Sequence, residues 1–226
     1  MKKLGKRLKE DYKAVDKEKL YTIEEAIDVM GKVKKIKFDE TIELHFHLNL
    51  DVKAGDQTVR GTVVLPNGSG KKKKIAVFCK GESEQKARES GADYVGSADL
   101  IEKVSGGFLD FDVVIATPDM MRDLSKLGKV LGPRGLMPTP KAGTVTMDID
   151  KAIKEIKAGK IEFKADKQAG IHVGVGKKSF LKEQITENIK HLINAVNQAK
   201  PNSVKGNLIK SLSLATTMGP GLRIAL

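Results

Sequence analysis

The sequence has 226 residues, 40% of them hydrophobic and 4% aromatic with no Trp, long enough to bury one large core or two small ones. Lys and Arg number 41 against 29 Asp and Glu, a net charge of +12 with a pI near 9.6, which favours a polyanionic partner, nucleic acid before a membrane surface. No apolar run reaches the length of a bilayer span, the basic start at 1–7 lacks the apolar stretch of a signal peptide, and a single cysteine, Cys79, excludes an internal disulfide and fits a reducing cytosol.

Residues 3–15 are rich in Lys, Arg and Leu and read as helix, with Leu4 and Leu8 one turn apart. Thr22 and Glu25 have the spacing of a capping box and start a second helix, whose buried stripe is Ile23, Ala26, Ile27 and Met30. Lys32, Lys34, Lys35 and Lys37 crowd its exit. Ile42, Leu44, Phe46, Leu48 and Leu50 then alternate with Glu43, His45, His47 and Asn49, the period of a strand with one packed face and one wet face. A further strand is expected over 60–65. Pro66, Asn67, Gly68, Ser69 and Gly70, followed by the lysines at 71–74, form a linker signal.

The pattern changes after this linker. Short apolar strands at 75–79, 92–95 and 112–117 alternate with helices at 82–90, 98–104 and 120–126, the last two capped by Ser97 and Asp119, as in a small parallel α/β unit. A Pro/Gly loop at 131–143 and a helix over 148–158, ended by Gly159, complete it. Two-sided alternation returns at 161–166 and 170–175. Ser179 caps a long helix that runs to about Ala199, with Phe180, Ile185, Ile189, Leu192, Ile193 and Val196 as its stripe. At 211–217 Leu212 and Leu214 face a core while Ser211, Ser213 and Thr217 face out. Met218, Gly219, Pro220 and Gly221 break that strand, since Pro220 has no amide to give and the glycines permit unusual angles. The economical architecture is α/β with two domains. One is a discontinuous α+β domain with an antiparallel sheet built from both chain ends, 1–66 and 160–226. The other is an α/β domain, 67–159, inserted at a surface loop.

Catalytic patterns are incomplete. The string at 174–179, Gly-Val-Gly-Lys-Lys-Ser, has the look of a phosphate loop, but Ile171 stands where the first glycine belongs and Lys178 where Ser or Thr belongs. A glycine turn beside a helix start remains, and it would still present free amides to an anion. The glycines at 128, 132 and 135 do not follow the dinucleotide fingerprint. His45 and His47 share a strand face and make at most half a metal site, and Cys79 reads as a core residue. Asp93, Asp110 and Asp112 mark strand ends. No serine sits in a nucleophile elbow.

An RNA surface has more support. Lys37 and Phe38 offer a cation and an aromatic at a strand entry. Phe38 either packs on a base or sugar or fills a helix–sheet junction in the core. The hydroxyl row of 211–217 can bond ribose and phosphate, and Gly219 lets another backbone approach. Residues 160–226 carry 11 basic against 4 acidic side chains, so the surplus charge sits with that row.

Several motifs resemble those of the bacterial ribosomal protein L1 family, and they run in the family's order over nearly the whole chain. They are Lys37–Thr41, Arg60-Gly61-Thr62-Val63, Gly91–Gly96, Ala116–Asp119, Leu131–Pro138 (Leu-Gly-Pro-Arg-Gly-Leu-Met-Pro), Ile156–Gly159 and Thr216–Pro220 (Thr-Thr-Met-Gly-Pro). The resemblance implies a hinge between the terminal domain and a Rossmann-like inserted domain. It implies no catalytic residues, no cofactor and no metal. It also implies a stalk protein of the large ribosomal subunit, monomeric when free, in the cytoplasm and away from membranes. Its partners would be 23S rRNA, exit-site tRNA, the messenger of its own operon and other parts of the large subunit. By match, the rRNA contact would comprise Lys37, Phe38, Glu40, Thr41, Lys167, His172, Ser211, Ser213, Thr216, Thr217, Met218 and Gly219.

Overall fold

A computed structural model describes residues 5–13, 15–16, 18–34, 36–51 and 57–225. In chain order the elements are α1 (Lys6–Asp11), α2 (Ile23–Lys32), β1 (Thr41–Leu48), β2 (Arg60–Val64), β3 (Ile75–Phe78), α3 (Glu82–Glu89), β4 (Tyr94–Gly96), α4 (Ala98–Ser105), β5 (Val113–Ala116), α5 (Met121–Leu124), α6 (Gly128–Leu131), α7 (Ile149–Ala158), β6 (Lys160–Lys164), β7 (Gly170–Lys177), α8 (Lys182–Gln198), β8 (Ile209–Thr216) and β9 (Leu222–Ile224). Single 3₁₀ turns lie at Pro118–Met120, Ser125–Leu127 and Pro140–Ala142. The fold is mixed α/β, with antiparallel and parallel sheets in one chain. Packing divides it into two compact units, 1–70 with 161–226, and 71–160.

In the first unit a four-stranded sheet has the order β7-β1-β8-β9, and β2 pairs with β6 in a separate two-stranded sheet. β1 runs antiparallel to both its neighbours. Its period-2 sequence delivers the expected two faces. Ile42, Leu44, Phe46 and Leu48 are buried with Ile171, Val173, Leu212 and Leu214. Against them pack Ala26, Ile27 and Met30 of α2 and Ile185, Ile189, Leu192 and Val196 of α8. The Thr22–Glu25 capping box forms, with Thr22 Oγ1 accepting the Glu25 amide at 3.2 Å and Glu25 Oε2 accepting the Thr22 amide at 3.1 Å. α1 is shorter than the helix expected over 3–15, because Gly5 offers no side-chain cap and the first turn has no acid; Leu4 lies outside the described residues. Residues 67–70 pack with this unit. Asn188, fully buried on α8, accepts the Asn67 amide at 3.1 Å and donates to Gly68 O and Val175 O at 3.0 and 2.8 Å.

In the second unit three parallel strands have the order β4-β3-β5. β3 is apolar throughout because both its faces are covered. Ile75 and Val77 meet Ala152, Ile153 and Ile156 of α7, while Ala76 and Phe78 meet Leu100 and Val104 of α4 and Leu124, Leu127 and Leu131 beyond β5. Cys79 is buried, and burial pushes its thiol up to about 11. Asp93 Oδ2 accepts the Ile75 amide at 2.8 Å and Asp112 Oδ2 the Lys74 amide at 2.9 Å. Asp110 takes the Lys74 ammonium at 2.6 Å. All three aspartates thus serve the strand starts. Ser97 precedes α4 without a side-chain cap bond, and Asp119 falls inside the 3₁₀ turn that leads into α5.

Candidate nucleic-acid interface

One end of β1 and the end of β8 meet in a corner of the first unit. Thr217 stays on the ladder after β8 ends. Its amide donates to Thr41 O at 3.0 Å, its Oγ1 accepts the Thr41 amide at 3.0 Å, and its hydroxyl also lies 3.2 Å from Thr41 O. The expected free hydroxyl is therefore spent on backbone. The next residues turn around a buried carboxylate. Glu40, only 1% exposed, accepts the Thr216 hydroxyl at 2.9 Å and the Met218 amide at 3.1 Å through Oε1. Its Oε2 meets the Lys178 ammonium at 3.2 Å.

Glu40, Thr216 and Thr41 are all buried and hold the corner in place. Gly219 is also placed by this network. Its φ is ordinary, but a Cβ there would collide with the Thr216 hydroxyl that Glu40 holds. Space, and no unusual angle, requires glycine at 219. Gly221 has open space around it.

The corner turns its apolar groups outward. Phe38 is 54% exposed and Met218 51%, both beside Glu40 in sequence or by hydrogen bond. Phe38 is thus a surface aromatic, and the core alternative is excluded. A cavity of about 430 Å³ opens beside it, lined by Gly31, Ile36, Phe38, Asp39, Glu40, Lys178 and Ser179. Cations surround the corner. Lys37 is exposed, Lys177 Nζ donates to Thr41 Oγ1 at 3.0 Å, and Arg7 reaches from α1 to donate to Met218 O at 2.6 Å. Arg7 belongs to the site through a contact 211 residues away in sequence, and no local pattern announces it.

The string at 174–179 forms no phosphate loop. Gly174 and Gly176 are strand residues of β7. Asp39 takes the Ser179 amide at 3.2 Å and its hydroxyl at 2.8 Å, and Gln184 accepts the Leu181 amide at 3.1 Å. Asp39 thus binds the turn that precedes α8, and the cap residue of the helix is Leu181, not Ser179.

The wet face of the sheet extends from the corner. Across its middle the register sets His172 of β7, His45 of β1, Ser213 of β8 and Arg223 of β9 side by side. One step on, His47 stands between Gly170 and Ser211. Ser211 and His172 are exposed and Ser213 half-buried. Lys167 is exposed in the loop before β7, at the far end of β1, roughly 20 Å from the corner at 3.3 Å per residue. In that loop Asp166 accepts the Gly170 and Gln168 amides at 2.7 and 2.8 Å, which holds its carboxyl below the usual range. The twelve expected residues thus divide: eight build or flank the corner, His172 and Ser213 sit mid-face on either side of His45, Ser211 lies one step further on, and Lys167 lies beyond it. Among the described residues no group of three or more His, Cys, Asp or Glu is arranged to hold a metal. No helix among them is long and apolar enough to cross a membrane.

The sequence profile of the Ribosomal protein L1p/L10e family matches residues 30–220. The chain is 57% identical over 222 residues to a protein of Protochlamydia amoebophila named large ribosomal subunit protein uL1, covering 98% of this chain and 94% of that one. It is 52% identical over 225 residues to the protein of the same name from Thermosipho melanesiensis, covering 99% and 97%. With nearly full-length matches at this identity and a profile spanning both halves of the corner, the chain belongs to the Ribosomal protein L1p/L10e family.

Proposed function

We propose that this chain is a structural component of the large ribosomal subunit that seats a helical junction of 23S rRNA on the corner and wet face of its first unit. The observation that carries the reading is an inversion. A carboxylate is buried at the corner while Phe38 and Met218 are exposed on the turn it fixes. An apolar pair on a rigid turn, ringed by Arg7, Lys37 and Lys177, suits the sugar and base surfaces of folded RNA flanked by phosphates. Charge supplies long-range attraction that weakens with salt. The two compact units support a two-domain reading with the terminal domain assembled from both chain ends.

The names of the relatives support placement on the cytoplasmic ribosome and a role other than catalysis. Kinship extends the reading to the mobile stalk, to release of deacylated tRNA from the exit site, and to repression of the chain's own operon by a messenger that copies the rRNA site. A nucleotide-dependent enzyme has no observation in its favour.

Competition between an rRNA junction fragment and unrelated junctions at fixed salt tests the central claim. The rRNA fragment should win by about a thousandfold, the lower end of the usual excess of specific over non-specific binding. Phe38→Ala should lower affinity for it by about 1–3 kcal/mol, the value of one aromatic contact with a base, and leave thermal unfolding unchanged. Thr217→Val is a poor probe, because it strands the Thr41 amide and so perturbs the fold as well. Equal affinity for every junction would refute a dedicated seat.

A further inference from the structure

The cavity beside Phe38 has a hydrogen-bonding character of its own. It lies between the last turn of α2 at Gly31, the strand entry at 36–40 and the turn before α8, and its volume of about 430 Å³ is that of a small-ligand site. Gly31 contributes backbone alone. A Cβ at 31 would meet nothing within 4 Å, so packing does not call for glycine there, although glycine is a poor helix residue. Ile36 and the half-exposed ring of Phe38 supply the apolar part.

The polar part is mostly acceptors. Asp39 accepts the Ser179 amide at 3.2 Å through Oδ1 and the Ser179 hydroxyl at 2.8 Å through Oδ2. A carboxylate offers about four lone-pair positions, so among the described residues two stay open. The Ser179 hydroxyl spends its one proton on Asp39 and keeps its lone pairs. The end of α2 adds the negative pole of the helix dipole. Glu40 does not join this set, since the Thr216 hydroxyl, the Met218 amide and the Lys178 ammonium hold its oxygens. Donors are nearly spent. Lys178 gives one proton to Glu40 at 3.2 Å and one to Val33 O at 3.4 Å, which leaves one of its three. A ligand that satisfies this lining brings two adjacent donors for Asp39, one acceptor for Lys178 and a flat face for Phe38. A phosphate, acceptor on every side, does not.

Among the four RNA bases one edge fits. Guanine carries N1–H and the N2 amino group side by side, with O6 next to them. Adenine and cytosine each set an amino group beside a bare ring nitrogen, and uracil sets N3–H between two carbonyls. We propose that the cavity holds one unpaired guanine of the RNA, with N1–H and N2–H on Asp39, O6 on Lys178 and the ring against Phe38. This rests on the RNA reading above and adds a base identity to it. An arginine of a partner protein would meet the same carboxylate and aromatic ring. The cations Arg7, Lys37 and Lys177 around the corner repel such a basic partner and attract RNA, which decides for the base.

Two measurements on the full chain test this. In the first, NMR signals of Phe38, Asp39 and Ser179 are followed with guanosine, inosine, adenosine, cytidine or uridine 5′-monophosphate, each raised to about 5 mM, enough to fill most of a millimolar site. All five carry the same phosphate. Guanosine monophosphate should shift the signals. Inosine monophosphate, which lacks only the N2 amino group, should bind at least about fivefold more weakly, the low end of what a bidentate base contact supplies. Asp39→Asn, whose amide oxygen still accepts from Ser179, should bring the two within about twofold. Equal affinity for all five in the unaltered protein, no shift with any, or discrimination kept in Asp39→Asn overturns the guanine site. Tighter binding of N-acetyl-arginine amide than of guanosine monophosphate also overturns it, and marks an arginine as the occupant. In the second, the rRNA junction fragment is bound at fixed salt with each unpaired guanine replaced in turn by inosine. One replacement should cost about fivefold or more in the unaltered protein and less than about twofold in Asp39→Asn. A fragment indifferent to every replacement overturns the proposal. Absence of junction binding overturns the RNA reading, and the mononucleotide measurement then decides separately whether the cavity selects guanine.

Discussion

Replacing Glu40 by Gln separates the two jobs of the buried carboxylate. The amide has the same size, and its oxygen can still accept from the Thr216 hydroxyl and the Met218 amide, 2.9 and 3.1 Å away. The charge facing Lys178 is lost, and the new NH₂ turns toward an ammonium. Lys178 is left with Val33 O at 3.4 Å, its side chain only 17% exposed. Removing one partner of a buried pair costs about 3–5 kcal/mol; the remaining solvent access and the carbonyl reduce that to about 2–3 kcal/mol for Glu40→Gln. Lys178→Met alone should also destabilise, by stranding the carboxylate. The double variant restores balance, so the cycle should give a coupling of about 2 kcal/mol. Denaturant unfolding of the four proteins measures it, and hydrogen exchange at the Met218 amide reports whether the corner itself has loosened. Additivity within about 0.5 kcal/mol would show that the pair is not coupled and that the corner is held by its hydrogen bonds alone.

Other consequences follow from the same geometry. Gly219→Ala drives the Thr216 hydroxyl off Glu40 and should lose about 1–3 kcal/mol of stability as well as RNA affinity, while Gly221→Ala, in open space, should leave both unchanged; equal effects on unfolding midpoint would refute the packing argument. Asp166, its carboxyl held low by the Gly170 and Gln168 amides, adds stability that is present above the unfolded carboxyl range and is lost as pH falls through the lower folded value. Asp166→Asn should flatten the acid limb of a stability-against-pH curve, and an unchanged limb would contradict this. Cys79, buried and pushed up to about 11, should resist a thiol reagent in the native protein and react fully on unfolding. Rapid native labelling would place the β3 end closer to solvent than the structure has it.

Much of this molecule is written in local pattern. The alternation of 42–50 and 211–217 predicts β1, β8 and their faces, because a strand with one wet side has no other way to arrange its side chains. The Thr22–Glu25 cap and the left-handed glycine at 159 that closes α7 are equally local. The pairs that build the corner are of another kind. Glu40 with Thr216, Asp39 with Ser179 and Arg7 with Met218 join residues 140 to 211 positions apart, and neither member signals the other. The same holds for His45 and His172, which only the register of two strands brings together.

One signal was nevertheless available for the buried acid. The inward rows of β1 and β8 fall on even numbers, Ile42 to Leu48 and Leu212 to Leu214. Carried one step further, each row reaches a polar residue, Glu40 at one strand's start and Thr216 at the other's end. Alternation therefore places both beneath the sheet, where a carboxylate is costly unless every oxygen is met. Here the Thr216 hydroxyl, the Met218 amide and the Lys178 ammonium meet them. An apolar pair in those places would close the core at lower risk, yet it would leave the Met218 amide without an acceptor and the turn without an anchor. The outward neighbours Phe38 and Met218 complete the inversion, apolar where water should be. A stretch that breaks the hydrophobic rule on both faces at once, and satisfies every polar group in doing so, marks a surface shaped for something other than solvent.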